Sequence, residues 1–194
     1  MTTSPRLMII VTSTRPSRIG RTIADWFHTQ AEAYGGFDID FVDLKELDLP
    51  LMDEPNHPRL ATYTKQHTLD WSARVDAADA FVFVMAEYNH SYTAPLKNAL
   101  DYLLREWAYK PVGFVSYGGV AAGTRAVQAI KPTCVVMRMV PVSDAVYIPF
   151  AAKHIEDGAF KATEDLETSA TTMLNELERV TEALVPLRAP KPAP

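Results

Sequence analysis

The sequence predicts one α/β domain, a doubly wound three-layer fold in which helices cover both faces of a five-stranded parallel sheet. Two observations indicate this class. Short apolar runs alternate five times with amphipathic helical segments, and no internal repeat or linker interrupts the alternation. In addition, the 194 residues are 47% hydrophobic, which suffices for a single core between right-handed crossovers.

Five segments are predicted to be strands. The first and third are continuous apolar runs, typical of parallel strands that are buried on both faces. The second alternates apolar and polar side chains, which indicates a strand with one less covered face. The predicted strands span residues 7–11, 37–43, 80–85, 112–116 and 142–148.

Helical periodicity follows each predicted strand. Gly35 and Gly36 are typical of a helix C-terminus and end the first helix. The second helix is expected to bury Leu69, Trp71 and Val75. The predicted helices span residues 19–34, 62–78, 94–104, 124–137 and 164–185, with a proline-rich loop at 44–58 and no assignment for 151–163.

Composition disfavours several function classes. A net charge of −5 argues against nucleic acid as the main partner. No apolar run approaches the ~20 residues that span a bilayer, and the N-terminus lacks a signal-peptide core. The lone cysteine, Cys134, cannot form an internal disulfide and is typical of a reducing compartment. A cytoplasmic protein is therefore expected, with residues 1–187 as the domain and 188–194 as a disordered tail rich in Pro and Ala.

The loop after the first strand carries the strongest indication of a ligand. It follows a buried strand and opens a helix, so that unpaired helix amides and the helix dipole face the loop. Three hydroxyls (Ser13, Thr14, Ser17) and two guanidiniums (Arg15, Arg18) accompany those amides. Such a set suits a terminal phosphate. The alternative is an ordinary strand-to-helix turn with solvated arginines.

Well-known phosphate and metal signatures are absent from the sequence. The chain lacks GxxxxGK[ST] and GxGxxG, so a P-loop nucleotide triphosphatase and the standard dinucleotide fold are disfavoured. Its five histidines lack metal-ligand spacing, and no metal site is expected.

Two further loops, at residues 86–93 and 117–123, follow predicted strands three and four. Because the carboxyl ends of parallel strands share one edge of a sheet, all three loops open on that edge. Tyr88 offers an aromatic ring, and Gly118 and Gly119 let backbone amides approach a flat ligand closely. A phosphate and a planar ring describe flavin mononucleotide (FMN). The same geometry admits other phosphorylated ligands, and the alternative for each loop is a plain turn or a flexible connection.

Three motifs resemble those of the NADPH-dependent FMN reductase family, a flavodoxin-like group that includes quinone, azo-dye and chromate reductases. They are residues 13–20 (STRPSRIG), 87–89 (EYN) with 94–101 (APLKNALD), and 116–119 (SYGG). The resemblance covers about residues 7–130 and keeps the order and spacing of the motifs. It implies the flavodoxin-like strand order 2-1-3-4-5.

The resemblance implies a role for each loop. The FMN phosphate is assigned to the first loop, the ring and ribityl chain to the second, and the pyrimidine edge to the third. There, the amides of Gly118 and Gly119 are expected to stabilise the reduced ring. No catalytic acid or base is assigned, because the flavin carries the chemistry. The implied FMN-binding residues are Ser13, Arg15, Ser17, Arg18, Ile19, Gly20, Ala86, Glu87, Tyr88, Asn89, Ser116, Tyr117, Gly118 and Gly119.

Two residues depart from the family pattern. Thr12 stands where the family usually has Gly, and Ala86 stands where it usually has Pro. Thr12 is expected to add a side chain near the phosphate turn, and Ala86 to loosen the second loop. Neither change removes a donor, so FMN binding is expected to survive.

The resemblance implies an enzyme that transfers hydride from NADPH, or NADH, to FMN and on to a flavin, quinone, azo dye or similar small-molecule acceptor by a ping-pong mechanism. An electron carrier and a redox-sensing FMN protein are the alternatives. The family also implies a homodimer or dimer of dimers, with residues 44–58 and 97–106 as candidate contacts. A flavin-dependent monooxygenase is a further expected partner. His90 is the histidine nearest the site, and Trp107 is expected in the core or the dimer interface.

Overall fold

A computed structural model describes residues 4–188 of the protein. Strands and helices alternate along the chain as predicted. In chain order the elements are β1 (Arg6–Val11), α1 (Gly20–Tyr34), β2 (Asp38–Asp43), α2 (Leu44–Leu47), α3 (Gln66–Asp76), β3 (Ala80–Ala86), α4 (Ala94–Asp101), β4 (Pro111–Tyr117), α5 (Thr124–Val136), β5 (Val140–Pro141), β6 (Val146–Ile148), β7 (Ile155–Glu156), β8 (Ala159–Phe160) and α6 (Glu164–Arg188).

The main sheet is parallel and has the order β2-β1-β3-β4, with a fifth position beside β4. In the centre, Ile9 of β1 pairs with Phe41 of β2 on one side and with Val82 of β3 on the other. The predicted order 2-1-3-4-5 is therefore confirmed. The direction of chain progression reverses between β1 and β3, and ligands of such folds bind outside the carboxyl ends of the strands at this switch point.

Two short segments fill the fifth position instead of the single strand predicted for residues 142–148. β5 pairs with the start of β4, and β6 pairs with its end. The Val142 N–H still donates to the Val112 carbonyl of β4 at 3.0 Å, and the chain leaves the sheet after it, where Asp144 has a poor preference for strands. Both segments run beside β4, so the topology is unchanged.

Side chains from the two faces of the sheet form two separate cores. Along β1, Leu7, Ile9 and Val11 pack in one core with α1 and α6, whereas Met8 and Ile10 pack in the other with α3, α4 and α5. All five side chains are fully buried. Alternation with a period of two is what strand geometry dictates for a sheet covered on both faces.

The second predicted helix starts later than expected. α3 begins at Gln66 rather than at residue 62. Just before it, the Glu54 carboxylate accepts hydrogen bonds from the backbone N–H groups of Thr64 and Lys65, both at 2.9 Å. These bonds hold the preceding residues in a turn outside the helix.

The buried face of α3 also differs from the prediction in one residue. Trp71 and Val75 are buried as predicted, but Leu69 is 44% exposed. Residues two positions apart on a helix point in different directions, so Leu69 cannot share a face with Trp71. Thr68, three positions before Trp71, is buried in its place.

The C-terminal helix α6 ends at Arg188, three residues beyond its predicted end and one residue into the predicted tail. The Arg188 guanidinium donates to the Asp79 carboxylate at 2.5 Å, which holds the helix end near the start of β3. Residues 189–194 of the predicted tail lie outside the described residues. The unassigned segment 151–163 contains a 3₁₀ turn and the small antiparallel pair β7–β8.

The predictions for Gly35, Trp107 and Cys134 are confirmed. Gly35 ends α1 with a φ of 75°, and its N–H donates to the Ala31 carbonyl. Trp107 lies in the core and Cys134 is fully buried. Across residues 4–188, the helices are all too short or too polar to cross a membrane. The same residues contain no group of three or more His, Cys, Asp and Glu side chains placed to hold a metal ion.

Candidate active site

An open pocket of about 320 Å³ lies at the carboxyl edge of the sheet, where the loops after β1, β3 and β4 meet. The topology brings these loops together, because each follows a parallel strand at the same edge. Of the predicted site residues, nine line the pocket and five lie outside its lining (Ser13, Gly20, Asn89, Ser116 and Gly119). The lining residues are Arg15, Ser17, Arg18, Ile19, Ala86, Glu87, Tyr88, Tyr117, Gly118, Ala151 and Ala152.

Thr12 fixes the start of the first loop. Its N–H and its hydroxyl both donate to the Val84 carbonyl in β3, each at 3.1 Å. Its own carbonyl accepts a hydrogen bond from the Thr93 hydroxyl at 2.9 Å, which joins the first loop to the second. The buried Thr12 side chain is therefore committed to β3. This corrects the expectation that it adds a side chain beside the phosphate turn.

Arg18, predicted to hold a phosphate, is paired within the protein. Its guanidinium donates two hydrogen bonds to the Asp43 carboxylate, both at 2.6 Å, and one to the Ser13 carbonyl at 2.5 Å. The Asp43 side chain is fully buried. Burial by itself raises the pKa of Asp43, but the bonds from Arg18 and from the Lys45 N–H outweigh it and lower that pKa below its ordinary value. Arg18 thus ties the loop to the end of β2, and an ionised carboxylate neutralises its charge.

Three of the predicted residues meet at the start of α1. Gly20 lies so close to the Tyr117 hydroxyl and to Ser13 Oγ that a Cβ at position 20 would overlap both. Within residues 4–188, the buried Ser13 Oγ has no partner at hydrogen-bond geometry, and the Tyr117 hydroxyl is the polar group beside it. Burial raises the pKa of Tyr117 to about 12, so its phenol stays protonated at neutral pH. The resemblance placed Tyr117 at the pyrimidine edge, whereas its hydroxyl lies beside Gly20 and Ser13 at the start of α1.

The first loop leaves one cation available to a ligand. Arg15 is exposed and lines the pocket together with Ser17. Ile19, at the start of α1, supplies no side-chain cap, so the first helix amides have no acceptor from that side chain. Because Arg18 is paired with Asp43, Arg15 is the guanidinium of this loop that can meet an anion.

The second loop is clamped by Arg125, a residue that the sequence interpretation missed. The Glu87 carboxylate accepts hydrogen bonds from Arg125 Nε at 2.5 Å and from the Arg125 N–H at 3.2 Å, in the first turn of α5. Arg125 Nη1 also lies 2.9 Å from His90 Nε2. The backbone of Asn89 and His90 has positive φ angles of 50° and 67°, a strained conformation that these contacts help to hold. Glu87 therefore faces Arg125, and the exposed Tyr88 lines the pocket.

Two groups predicted to hold the pyrimidine edge are engaged within the protein. The Ser116 hydroxyl donates to the Ala122 carbonyl at 2.9 Å, and the Gly118 N–H donates to the Ile148 carbonyl at 3.3 Å. Among residues 4–188, the Gly119 N–H finds no backbone acceptor. The predicted pair of amides is thus reduced to one, and Gly119 is the glycine that can donate to a ligand.

A segment after β6 completes the pocket and was also missed. Its Ala151 and Ala152 belong to the lining. The N–H groups of Phe150 and Ala151 donate to the carbonyls of Gly119 and Gly118, each at 3.0 Å, which holds the segment against the third loop. Alanines carry no chemical signal of a site, and the segment shows no helix or strand periodicity, so only the folded chain reveals its position.

Comparison with known families decides the assignment. The family model described as NADPH-dependent FMN reductase matches residues 5–153, about three quarters of the chain. The chain belongs to the NADPH-dependent FMN reductase family. The matched range contains all the predicted site residues. Membership of this FMN reductase family confirms the predicted enzyme class, an oxidoreductase, and the predicted cofactors, FMN and NAD(P)H.

Two relatives of this FMN reductase are similar over three quarters or more of its length, and a third is similar over about half of it. An NAD(P)H-dependent FMN reductase of Schizosaccharomyces pombe is 36% identical over 180 residues, 91% of this chain and 86% of that protein. A second NAD(P)H-dependent FMN reductase, from a Nectria species, is 32% identical over 153 residues, 76% of each chain. An NADPH:quinone oxidoreductase of Arabidopsis thaliana is 37% identical over 101 residues, 49% of this chain and 48% of that protein. Oxidoreduction between NAD(P)H and a flavin or quinone is thus the general activity of the group.

Solved structures confirm the fold of the FMN reductase chain. FerB, a flavoenzyme NAD(P)H:(acceptor) oxidoreductase from Paracoccus denitrificans, superposes with a TM-score of 0.74 at 22% identity, covering 92% of this chain and 98% of that one. A flavodoxin from the domain Archaea gives a TM-score of 0.53 at 11% identity, covering 91% and 99% of the two chains. At these identities the likeness establishes the flavodoxin-like fold alone.

Proposed function

We propose that this chain transfers hydride from NAD(P)H to FMN held in the carboxyl-edge pocket, and from there passes reducing equivalents to a quinone, flavin or similar small acceptor. The observation that carries the proposal is the meeting of three loops in one pocket, in a chain of the FMN reductase family. FMN, when bound, supplies the hydride and electron-transfer chemistry. The residues of the chain bind it, orient it and shape the access to it.

The start of α1 fits the FMN phosphate. Ser13 Oγ is buried without a partner among the described residues, and Ile19 does not cap the helix. Arg15 adds an exposed cation on the pocket wall, and Tyr117 adds a protonated phenol. A phosphate dianion offers acceptors to all these donors. We therefore assign the phosphate to Ser13, Arg15 and Tyr117, and a positioning role to Arg18.

The second and third loops fit a flat ring. Tyr88 lines the pocket with an aromatic side chain, and Gly119, next to the lining residue Gly118, has an N–H without a backbone acceptor that can donate to an acceptor on the ring edge. A backbone donor at that edge stabilises negative charge that develops there on reduction. The ion pair between Glu87 and Arg125 keeps this part of the pocket in shape.

One shared pocket at the carboxyl edge of the sheet favours ping-pong kinetics, because a donor and an acceptor that both react there enter it in turn. The test is a set of initial rates in which NADPH is varied at several fixed concentrations of a quinone. Parallel double-reciprocal lines are expected, and intersecting lines would reject the alternating order. Flavin that is reduced only by a partner protein, without steady NADPH oxidation, would identify an electron carrier instead.

We also propose that two copies of the chain associate through the groove between the proline-rich loop and α4. This groove, of about 580 Å³, is lined by residues of both predicted contact regions, including His57, Pro58, Lys97 and Asp101. Val136, which also lines it, is 77% exposed, so association would remove apolar surface from water. Sedimentation velocity should show a dimer that Val136→Glu converts to a monomer. A monomeric wild type would reject the interface.

The remaining partners are proposed from the family resemblance. A flavin-dependent monooxygenase would consume reduced FMN if the chain releases it, and a coupled hydroxylation assay tests this transfer. The cytoplasm is the proposed compartment, because it keeps the lone thiol of Cys134 reduced. Fractionation of cells that produce the chain tests the compartment.

A further inference from the structure

We propose that Phe150 and Lys153 form a subsite for the 2′-phosphoadenosine end of NADPH beside the flavin pocket. The inference rests on the proposed function, because it requires NAD(P)H to reach that pocket. It names the residues that would distinguish the two coenzymes. NADPH and NADH differ only by a phosphate on the adenosine 2′-hydroxyl, so a discriminating site needs a stacking surface for adenine and a cation for that phosphate.

Phe150 is an exposed aromatic ring on a fixed backbone. The residue is 49% exposed, and its φ of 48° is a conformation that bulky side chains rarely adopt. Its N–H donates to the Gly119 carbonyl at 3.0 Å, and its carbonyl accepts a hydrogen bond from the Lys153 N–H at 2.8 Å. A fixed, water-exposed ring beside a pocket is a suitable stacking surface for a planar base.

Lys153 places a positive charge beside this ring. Its Nζ lies 5.0 Å from the centroid of the Phe150 ring, within the range of a cation–π contact. Between the two residues stand Ala151 and Ala152, which line the flavin pocket. One ligand that extends out of the pocket along these alanines can therefore meet an aromatic face and an ammonium group together.

The other cations at the pocket are committed elsewhere. Arg18 and Arg125 each form an ion pair with a carboxylate at 2.5–2.6 Å. Arg15 belongs to the loop assigned to the FMN phosphate. In the part of the chain that the structure describes, none of the ion pairs involves Lys153. Lys153 is therefore the cation that can recognise a second phosphate.

Adenosine 2′,5′-bisphosphate and AMP test the subsite directly, because they differ only in the 2′-phosphate. Binding of each to the FMN-loaded protein is measured by isothermal titration calorimetry. The wild type is expected to bind the bisphosphate about tenfold more tightly, which corresponds to about 1.4 kcal/mol. Equal affinities for the two nucleotides would overturn the proposal.

Three variants assign the effect to the named residues. Lys153→Ala is expected to remove the tenfold difference in affinity between the two nucleotides and to leave AMP binding unchanged. Phe150→Leu should weaken the binding of both nucleotides to the same extent. Lys161→Ala, which removes another exposed lysine from the same part of the chain, should keep the difference. A Lys153→Ala protein that still prefers the bisphosphate, or a Lys161→Ala protein that loses the preference, rejects the subsite.

Kinetics separates this inference from the proposed function. Lys153→Ala should raise KM for NADPH about tenfold, leave KM for NADH unchanged and leave kcat at saturating NADPH unchanged. An active enzyme whose KM for NADPH is insensitive to this change rejects the subsite but keeps the reductase activity. If the wild type oxidises neither coenzyme, the proposed function fails, and the calorimetric comparison still decides the subsite.

Discussion

The Arg18 guanidinium and the Asp43 carboxylate form a buried, bidentate ion pair in which both N···O distances are 2.6 Å. The same guanidinium donates to the Ser13 carbonyl, so the pair ties the first loop to the end of β2. The residue that resembles a phosphate ligand in the sequence thus shapes the loop that holds the other donors. We therefore expect changes at Arg18 to affect stability and changes at Arg15 to affect FMN binding.

Arg18→Ala is expected to lower the free energy of unfolding by about 3 kcal/mol, because it leaves the fully buried Asp43 carboxylate without its main partner. Urea denaturation at pH 7 measures the loss. The double variant Arg18→Ala/Asp43→Asn should recover part of it. As a control, Arg179→Ala removes an 81% exposed arginine paired with Glu176 and should cost less than about 0.5 kcal/mol. Equal losses in both single variants would show that burial of the pair contributes nothing.

Arg15→Ala is expected to weaken FMN binding about tenfold, the effect of losing one charge-assisted contact to phosphate. The free energy of unfolding should stay unchanged, because Arg15 is exposed and outside the core. Flavin fluorescence titration measures the affinity, and Arg59→Ala, an exposed arginine outside the pocket, serves as the control. Unchanged flavin content after gel filtration of the Arg15→Ala protein would reject the assignment.

Gly20→Ala is expected to destabilise the protein and weaken FMN binding together. At a helical position alanine is more favourable than glycine by about 0.5–1 kcal/mol, but overpacking at a buried site costs about 1–3 kcal/mol. The overlap involves the Tyr117 hydroxyl and Ser13 Oγ, so adding Tyr117→Phe removes half of it and should restore part of the stability. Thermal unfolding checks both variants. A Gly20→Ala protein as stable as the wild type would show that the two side chains move aside freely.

Glu54→Gln is expected to reduce stability at neutral pH but not in acid. Burial by itself raises the pKa of Glu54, but hydrogen bonds from the N–H groups of Lys65 and Thr64 outweigh it and lower the pKa from 4.5 to about 2. Because the folded-state pKa lies below the unfolded one, these bonds stabilise the protein above pH 4.5. Their contribution is lost as the pH falls from about 4.5 to about 2.

Urea denaturation of the wild type and Glu54→Gln across this pH range measures the effect. The difference in the free energy of unfolding should be present at pH 7 and shrink through the window. A difference of constant size at every pH would show that the variant acts through something other than the charge of Glu54.

The layered fold could be predicted because its signals are local and repeated. The apolar run of β1 alternates between two cores, and the glycine after α1 ends that helix with a positive φ. Two predictions failed for local reasons: Leu69 lies two positions from Trp71 on the helix and faces water, and the fifth strand breaks after Val142. A tertiary contact set one helix boundary, because the Glu54 carboxylate holds Thr64 and Lys65 outside α3.

The meeting of the three loops could also be predicted, because topology sends all of them to one edge of the sheet. Which donors are already paired within the protein could not be predicted, because their partners are distant in sequence. Arg18 meets a carboxylate 25 residues away, and Glu87 meets Arg125 at a separation of 38 residues. Ala151 and Ala152 carry no chemical signature at all. Only the folded chain shows which donors remain for a ligand.

Titration of FMN into the wild-type protein, followed by flavin fluorescence, decides whether the three loops bind this cofactor. We expect saturable binding of a single FMN per chain and a yellow protein after gel filtration. Fluorescence that stays equal to that of free FMN at every protein concentration, with a colourless protein after gel filtration, would contradict the assignment of the pocket.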